Sequence, residues 1–295
     1  MTDPQPGTLH TCSTAWPVLT AFEFSSPSSS PSAPLVVFIG GLGDSLLSTP
    51  YLPKLAKALG GLGWRLAQAS ISSSGRSWGG GTVGQDAQEL AQITRYFAER
   101  GASKIVLMGS STGCQDAVAY LHASRDFPEL AGVVLQAPVS DREIEDVQKL
   151  VNSIDRDTPA PADPDSFVPP AWSNLFHCKS GVTYARWRSL TVKPDTDAVD
   201  LDVSEDFFSS DLSDTRLRNV FAPVTCPLLV VLSGNDSSYP PHVKRALPAL
   251  LERFRTAAPA LSPQSTILEG AGHTLGAGTH ADAFAERVVA FVAAL

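Results

Sequence analysis

One stretch of the chain joins an apolar strand pattern, a glycine–serine turn and a helix pattern without any spacer. Residues 105–108 read Ile-Val-Leu-Met, a short run that predicts a buried strand. Gly109-Ser110-Ser111-Thr112-Gly113 follows directly, and a helical pattern begins after it. This order is that of a nucleophile elbow, which lifts the central serine to the carboxyl edge of a parallel sheet. We therefore predict that Ser111 is a catalytic nucleophile, with the N-terminus of the following helix directed at a developing oxyanion.

The G-x-S-x-G pattern occurs twice, and its surroundings separate the two copies. The second copy, Gly75-Arg76-Ser77-Trp78-Gly79, follows a serine run and continues into Gly79-Gly80-Gly81. Because each glycine disfavours a helix interior by about 1 kcal/mol, no helix can begin cleanly there. We interpret this second copy as a flexible loop.

Apolar runs alternate with amphipathic helical patterns on both sides of the elbow. The predicted strands are 18–24, 35–39, 64–71, 132–136, 227–232 and 266–268. The predicted helices include 86–98, 241–254 and 281–295, and residues 1–16 read as a loose lead-in. Such alternation predicts an α/β fold with a mostly parallel sheet and helices on both faces.

The alternation stops between Arg142 and Val220. Prolines and aromatic residues recur there, among them Pro159, Pro161, Pro164, Pro169, Pro170, Phe167, Trp172, Phe176, Tyr184, Trp187, Phe207 and Phe208. A long irregular insertion in a compact domain is usually functional, and its place after a strand end predicts a cap over the site. Trp187, Phe207 and Phe208 are predicted substrate contacts, together with Trp78. The alternative is that these aromatic residues build the core of the cap itself.

A serine hydroxyl needs a base, and the base needs an acid that fixes its tautomer. His273 follows the last predicted strand in a glycine-rich turn, so we predict that it is the base. His177, by contrast, lies within the insertion. Asp236, after the penultimate strand, is the predicted acid. Asp141, after the preceding strand, is the alternative acid and is otherwise interpreted as a helix N-cap.

The oxyanion formed by an acyl substrate needs two backbone donors. Thr112 N–H, directly after the nucleophile, is one predicted donor. Leu42 N–H, in the loop Gly40-Gly41-Leu42-Gly43-Asp44, is the other. Gly41 allows the backbone of that loop to lie close to the substrate, and with Asp141 it completes the predicted substrate-binding set.

Composition excludes several classes of partner. The chain has 295 residues, a formal charge of −8 and no lysine or arginine cluster, which argues against binding to nucleic acid or to anionic membranes. The four cysteines are scattered, which is not the pattern of a disulfide scaffold or a zinc module. Neither a signal peptide nor a membrane span is visible, so we predict a cytoplasmic protein. The residues predict no particular oligomeric state.

These motifs resemble those of the α/β-hydrolase superfamily along nearly the whole chain. The stretches at 109–116, 136–143, 184–190 and 205–212 are similar to a small family of fungal and plant hydrolases that includes an intracellular esterase of fusarinine-type siderophores. The resemblance implies an α/β-hydrolase fold with the cap after the sixth strand, and a Ser-Asp-His esterase without a metal or other cofactor. Ser110 stands where many relatives have histidine, which implies a different pocket shape.

The motifs and the resemblance together indicate two alternative functions. The first is hydrolysis of a carboxylic ester, with a siderophore-type or other bulky ester or lactone as the small-molecule substrate. The second is a ligand receptor that keeps the triad on a hydrolase scaffold but turns over little.

Overall fold

A computed structural model describes residues 4–26, 30–123, 126–154, 161–176 and 178–295. Within these ranges one eight-stranded sheet has the order β1-β2-β4-β3-β5-β6-β7-β8. Its strands are β1 (Gly7–Thr11), β2 (Thr20–Phe24), β3 (Leu35–Ile39), β4 (Arg65–Ser70), β5 (Ile105–Ser110), β6 (Gly132–Gln136), β7 (Leu228–Ser233) and β8 (Thr266–Leu268). In this spatial order, the strands β4, β3, β5, β6, β7 and β8 pair in parallel with their neighbours. The strand β2 pairs antiparallel with both β1 and β4.

The α-helices of the described residues connect these strands or lie in the insertion. They are α1 (Leu52–Gly60), α2 (Val83–Glu99), α3 (Thr112–Ala123), α4 (Glu145–Ser153), α5 (Pro170–Ser173), α6 (Tyr184–Thr191), α7 (Asp214–Phe221), α8 (Pro241–Ala257) and α9 (Thr279–Val292). None of the helices in the described ranges has the length and apolar character needed to cross a lipid bilayer.

The core has two layers, one on each face of the sheet. Successive residues of β3 illustrate the division, since Val37 belongs to the cluster that includes residues of α2, α3 and α8. Val36 and Phe38 belong to the cluster that includes residues of α1 and α9. All of them are fully buried, as expected for a central parallel strand that is covered on both faces. The predicted α/β architecture is confirmed.

The lead-in was predicted incorrectly. Residues Gly7–Thr11 form an edge strand that pairs antiparallel with Thr20–Phe24. Four of these five residues are exposed, so the strand lacks the alternating apolar signal of a half-buried strand. Backbone pairing with β2 holds it in place.

The segment after β6 is more helical than its proline content predicted. Besides α4 to α7 it contains one-turn 3₁₀ helices at Asp141–Glu143 and Asn174–Phe176. Pro159 and His177 lie outside the described residues. Asp141 is not a helix N-cap, because α4 begins only at Glu145 and has Ile144 at its cap position.

Two glycines allow β5 and α3 to meet at a sharp angle. A Cβ atom at Gly109 would lie 2.1 Å from the carbonyl oxygen of Gly113. A Cβ atom at Gly113 would lie 2.3 Å from the carbonyl oxygen of Ile39. Both neighbours are backbone atoms of buried elements, which cannot move aside cheaply. The contact of β5 with α3 therefore requires glycine at position 109, and the contact of α3 with β3 requires glycine at position 113.

We expect the substitution Gly113→Ala to lower the free energy of unfolding by about 1–3 kcal/mol, because the added methyl group overpacks a rigid contact. A glycine-to-alanine substitution in a helix ordinarily raises the free energy of unfolding, by about 1 kcal/mol. Gly84→Ala is a matched control, since Gly84 is also the second residue of its helix and its added Cβ would have no neighbour closer than 3.4 Å. Urea denaturation of both variants checks the prediction, and equal effects would contradict it.

Candidate active site

Ser111 lies at the turn between β5 and α3. Its φ angle is +55°, in the left-handed region that non-glycine residues rarely adopt. The Ser111 N–H donates to the carbonyl oxygen of Gln136 at 3.0 Å, and the Cys114 N–H donates to the carbonyl oxygen of Ser111 at 2.8 Å. These bonds hold the strained turn from both sides, as in a nucleophile elbow.

The structure brings Ser111, His273 and Asp236 into one hydrogen-bonded chain. The Ser111 hydroxyl lies 2.8 Å from Nε2 of His273, and Nδ1 of His273 lies 2.7 Å from Oδ2 of Asp236. A carboxylate can only accept, so His273 donates from Nδ1 and its Nε2 is free to accept the serine proton. The chain order Ser, Asp, His and these distances are those that activation of a serine requires.

Burial and charge both act on the pKa of His273. The Asp236 side chain is fully buried, and its other oxygen accepts from the Ser238 N–H at 2.8 Å. Burial of the imidazole acts to lower the pKa of His273, but the hydrogen bond and charge of Asp236 outweigh it, and the pKa is raised above its ordinary value. Because 24% of the His273 side chain is exposed, the imidazole can reach a bound substrate.

The predicted oxyanion loop lies against the nucleophile. A Cβ atom at Gly41 would lie 2.7 Å from Cβ of Ser111, so only glycine allows this approach. The Gly41 N–H donates to Oδ2 of Asp44 at 3.0 Å, which shapes the loop. Among the described residues, the N–H groups of Leu42 and Thr112 donate to no protein acceptor. Both are therefore available to a ligand.

Ser77, in the second copy of the motif, lies elsewhere. It is exposed, has an ordinary right-handed backbone and precedes the 3₁₀ helix Trp78–Gly80. The Ser110 hydroxyl donates into the interior, to Oε1 of Gln136 at 2.6 Å. The expectation that serine at this position changes the pocket shape stays a prediction.

Asp141 begins the 3₁₀ helix after β6 and is half-buried. Burial and the charge of Glu205 raise its pKa to about 7, against the opposing charges of Arg186 and His273. No hydrogen bond joins Asp141 to His273 within the described residues, whereas Asp236 makes one. The geometry thus favours Asp236 over Asp141 as the partner of the base.

The predicted aromatic contacts divide into two groups. Trp78 and Trp187 are almost fully buried in a small cluster with Val168, Cys178, Val182 and Leu190, against which Leu42 packs. The ring of Phe176 lies edge-on to both tryptophans, with centroids 5.8 Å away from each. Phe207 and Phe208 instead lie in the main core, where Phe208 contacts Phe221 and Phe254. Both phenylalanines are fully buried there, so neither ring presents a surface to a substrate.

Near the loop of Gly41 and Leu42 lies a buried cluster of charged residues that the sequence patterns did not predict. Arg186 of α6 pairs with Glu205, with 3.0 Å between Nη1 and Oε1. Asp86 of α2 and Asp116 of α3 complete the cluster, and all four residues are at most 4% exposed. Asp116 stands among apolar residues of α3, and this position in the sequence indicates a buried carboxyl group. The cluster joins the segment after β6 to two helices of the α/β body.

This cluster holds more carboxyl groups than its single guanidinium can neutralise. Burial raises the pKa of Asp86 to about 6 although the Arg186 charge lowers it. Burial and the Asp86 charge raise the pKa of Asp116 well above its ordinary value. A cavity of about 20 Å³ adjoins the cluster and is lined by Gly41, Leu42, Thr112 and Trp78. It has room for roughly one water molecule. No group of three or more histidine, cysteine or acidic side chains in the described ranges is arranged to hold a metal ion.

We expect Asp116→Asn to stabilise the protein increasingly as the pH rises from 5 to 8. A raised pKa in the folded state means that the unfolded chain loses the proton first, so stability falls as the pH rises through this interval. Asparagine at position 116 does not titrate, so the variant does not lose this stability as the pH rises. Urea denaturation at both pH values is the measurement, with Asp195→Asn at an exposed position as the control for one lost negative charge. A stability difference from wild type that is independent of pH would refute a protonated Asp116.

Comparison with known proteins finds esterases and hydrolases of similar sequence and fold. A protein of Emericella nidulans named as an esterase is 32% identical, over 92% of this chain and 87% of its own. The fusarinine C esterase of Aspergillus fumigatus is 32% identical, over 92% of this chain and 90% of its own. The solved structure of a siderophore hydrolase from Aspergillus fumigatus superimposes with a TM-score of 0.80 at 31% identity, covering 99% of this chain and 98% of that one.

The family described as "Protein of unknown function (DUF1749)" matches residues 1–293. The match spans the sheet, the elbow, the segment after β6 and the loop that carries His273. With its mostly parallel sheet and helices on both faces, the chain is an enzyme of α/β-hydrolase fold that belongs to the DUF1749 family.

Proposed function

We propose that the protein is a serine esterase that hydrolyses a carboxylic ester through an acyl-enzyme. The hydrogen-bonded chain from Ser111 through His273 to Asp236 carries this proposal. The esterase and hydrolase names of relatives that match almost the whole chain support it.

The two steps use the same groups in turn. His273 Nε2 takes the hydroxyl proton as Ser111 Oγ attacks the ester carbonyl, and the N–H groups of Leu42 and Thr112 stabilise the oxyanion. Collapse of the tetrahedral intermediate expels the alcohol, which receives the proton from His273. Water then attacks the acyl-enzyme with His273 again as base, and the carboxylic acid and free Ser111 are released. Nucleophile, base and oxyanion donors all come from the protein, so we propose a reaction without a cofactor.

We propose a siderophore-type or other bulky ester or lactone as the substrate class. Two relatives carry such substrates in their names, fusarinine C and a siderophore. We further propose that residues 142–220 form a cap over the site. Thr183 N–H donates to the carbonyl oxygen of Gly79, and Leu42 packs against the cluster around Trp187. The proposed cap thus contacts the loop that carries Gly79 and the loop that carries Leu42, and Gly41 of the second loop lies against Ser111. The cytoplasmic location stays a prediction.

Ser111 should react with a fluorophosphonate probe and Ser77 should not, because only Ser111 has a base within hydrogen-bond distance. Peptide mass spectrometry after labelling locates the adduct. Ser111→Ala should lower the turnover of model esters and of a ferric trihydroxamate ester by about 10³-fold or more. Ser77→Ala is the matched control and should leave turnover unchanged. Labelling of Ser111 with no turnover of any ester in the series would favour the receptor alternative.

Asp236→Asn should lower kcat by about 10³- to 10⁴-fold, because the imidazole loses its fixed tautomer. The raised pKa of His273 depends on Asp236, so the rising limb of the pH–rate profile should also move to lower pH. Asp141→Asn keeps the hydrogen-bonded chain and should lower kcat much less. A larger loss of kcat in Asp141→Asn than in Asp236→Asn would identify Asp141, after β6, as the acid.

A further inference from the structure

Gln136, the last residue of β6, lies fully buried between the nucleophile and the base. Its side-chain Nε2 donates to the carbonyl oxygen of His273 at 3.0 Å. Its backbone carbonyl accepts from the Ser111 N–H at 3.0 Å and from the Cys114 thiol at 3.3 Å. One residue therefore contacts the backbone of both Ser111 and His273, which are 162 positions apart in the chain.

Neighbouring hydroxyls determine the orientation of the Gln136 amide. The Ser110 hydroxyl donates to Oε1 at 2.6 Å, and the Tyr51 hydroxyl lies 3.4 Å from the same atom. Because the His273 carbonyl can only accept, the amide must present Nε2 to it and Oε1 to the hydroxyls. Ser110 and Tyr51 are both buried, so no solvent competes for these contacts.

The loop that carries His273 is anchored before the histidine, because the Asn235 N–H donates to the carbonyl oxygen of the buried Ala271 at 2.8 Å. It contains Gly270, with φ +72°, and Gly272, whose added Cβ would meet no atom within 4 Å. Asp236 holds the imidazole, but one hydrogen bond to a ring nitrogen leaves the ring free to shift along with its backbone. The amide of Gln136 supplies a second, independent tie, to the backbone of His273 itself.

We propose that Gln136 is a positioning residue that keeps His273 Nε2 at hydrogen-bond distance from Ser111, and that Ser110 keeps the Gln136 amide in its working orientation. The inference rests on the proposed esterase function. It also assigns a purpose to Ser110, which directly precedes Ser111 in the chain and donates its hydroxyl proton into the interior. Misplacement of a catalytic group by about 1 Å can cost about 10²-fold in rate.

The variants Gln136→Met, Ser110→Ala and Tyr51→Phe form a graded series. Gln136→Met keeps the length of the side chain and removes both polar ends, so kcat should fall about 10- to 100-fold with KM changed less than about threefold. Ser110→Ala should lower kcat by a smaller factor. Tyr51→Phe removes the longer contact to Gln136 and the contact of the Tyr51 hydroxyl with Ser110, and it should have the smallest effect. The reaction rate of Ser111 with a fluorophosphonate should fall in the same order.

Val134→Ala is the control for a general loss of packing. Val134 lies on the same strand, two residues before Gln136, and is fully buried, so truncation costs stability without touching the polar contacts. Its kcat should equal that of wild type after correction for the folded fraction. If Gln136→Met also retained wild-type kcat after that correction, Gln136 would be structural only and the proposal would fail.

A second readout does not need a substrate. The proton between His273 Nδ1 and Asp236 should give a low-field proton NMR resonance, assigned by its loss in Asp236→Asn. In Gln136→Met this resonance should broaden through faster exchange, and in Val134→Ala it should persist. A resonance unchanged in Gln136→Met would overturn the positioning inference. Absence of ester turnover in the wild-type protein would instead overturn the esterase proposal and leave this comparison valid.

Discussion

The left-handed backbone at Ser111 is the constraint on which the rest of the site depends. Such a conformation costs a non-glycine residue of the order of 1–3 kcal/mol and persists only where the surroundings enforce it. Here β5 lies at the centre of the sheet, between β3 and β6, and α3 begins immediately after the turn. Gly109 and Gly113 remove the Cβ atoms that would separate the strand, the helix and β3. Burial of these central elements stabilises the turn, and the turn presents Ser111.

The segment after β6 joins the body of the protein through charge as well as through apolar contacts. Arg186 and Glu205 come from this segment, whereas Asp86 and Asp116 come from α2 and α3. Taking charges out of water costs free energy that close partners only partly return, so a buried cluster of this kind is weak evidence for stability. Asp116 lies on α3, which begins directly after Ser111, so the cluster connects the proposed cap to the helix of the elbow.

Sequence patterns predicted the central elements well and the peripheral ones poorly. The strands β3 and β6 have the bounds that their apolar runs indicated, because strands buried on both faces need continuous apolar residues. The edge strand Gly7–Thr11 is mostly exposed and is held by backbone hydrogen bonds, which any side chain allows. Phe207 and Phe208 were grouped with the cap by their position in the chain, yet they pack into the main core. Aromatic content indicates burial but does not indicate which cluster receives the ring.

The sequence by itself determined the local parts of the site. It placed a serine in a strand–turn–helix motif, a histidine in a glycine-rich turn after the last strand, and two aspartates at strand ends, because each of these depends only on neighbouring residues. The tertiary structure decided which parts meet. It joined Asp236 rather than Asp141 to His273, gathered Arg186 with carboxyl groups of distant elements, and placed Gln136 between two loops. These choices depend on the path of the chain through the sheet, since a hydrogen bond requires atoms within about 3 Å and no local pattern specifies such a distance.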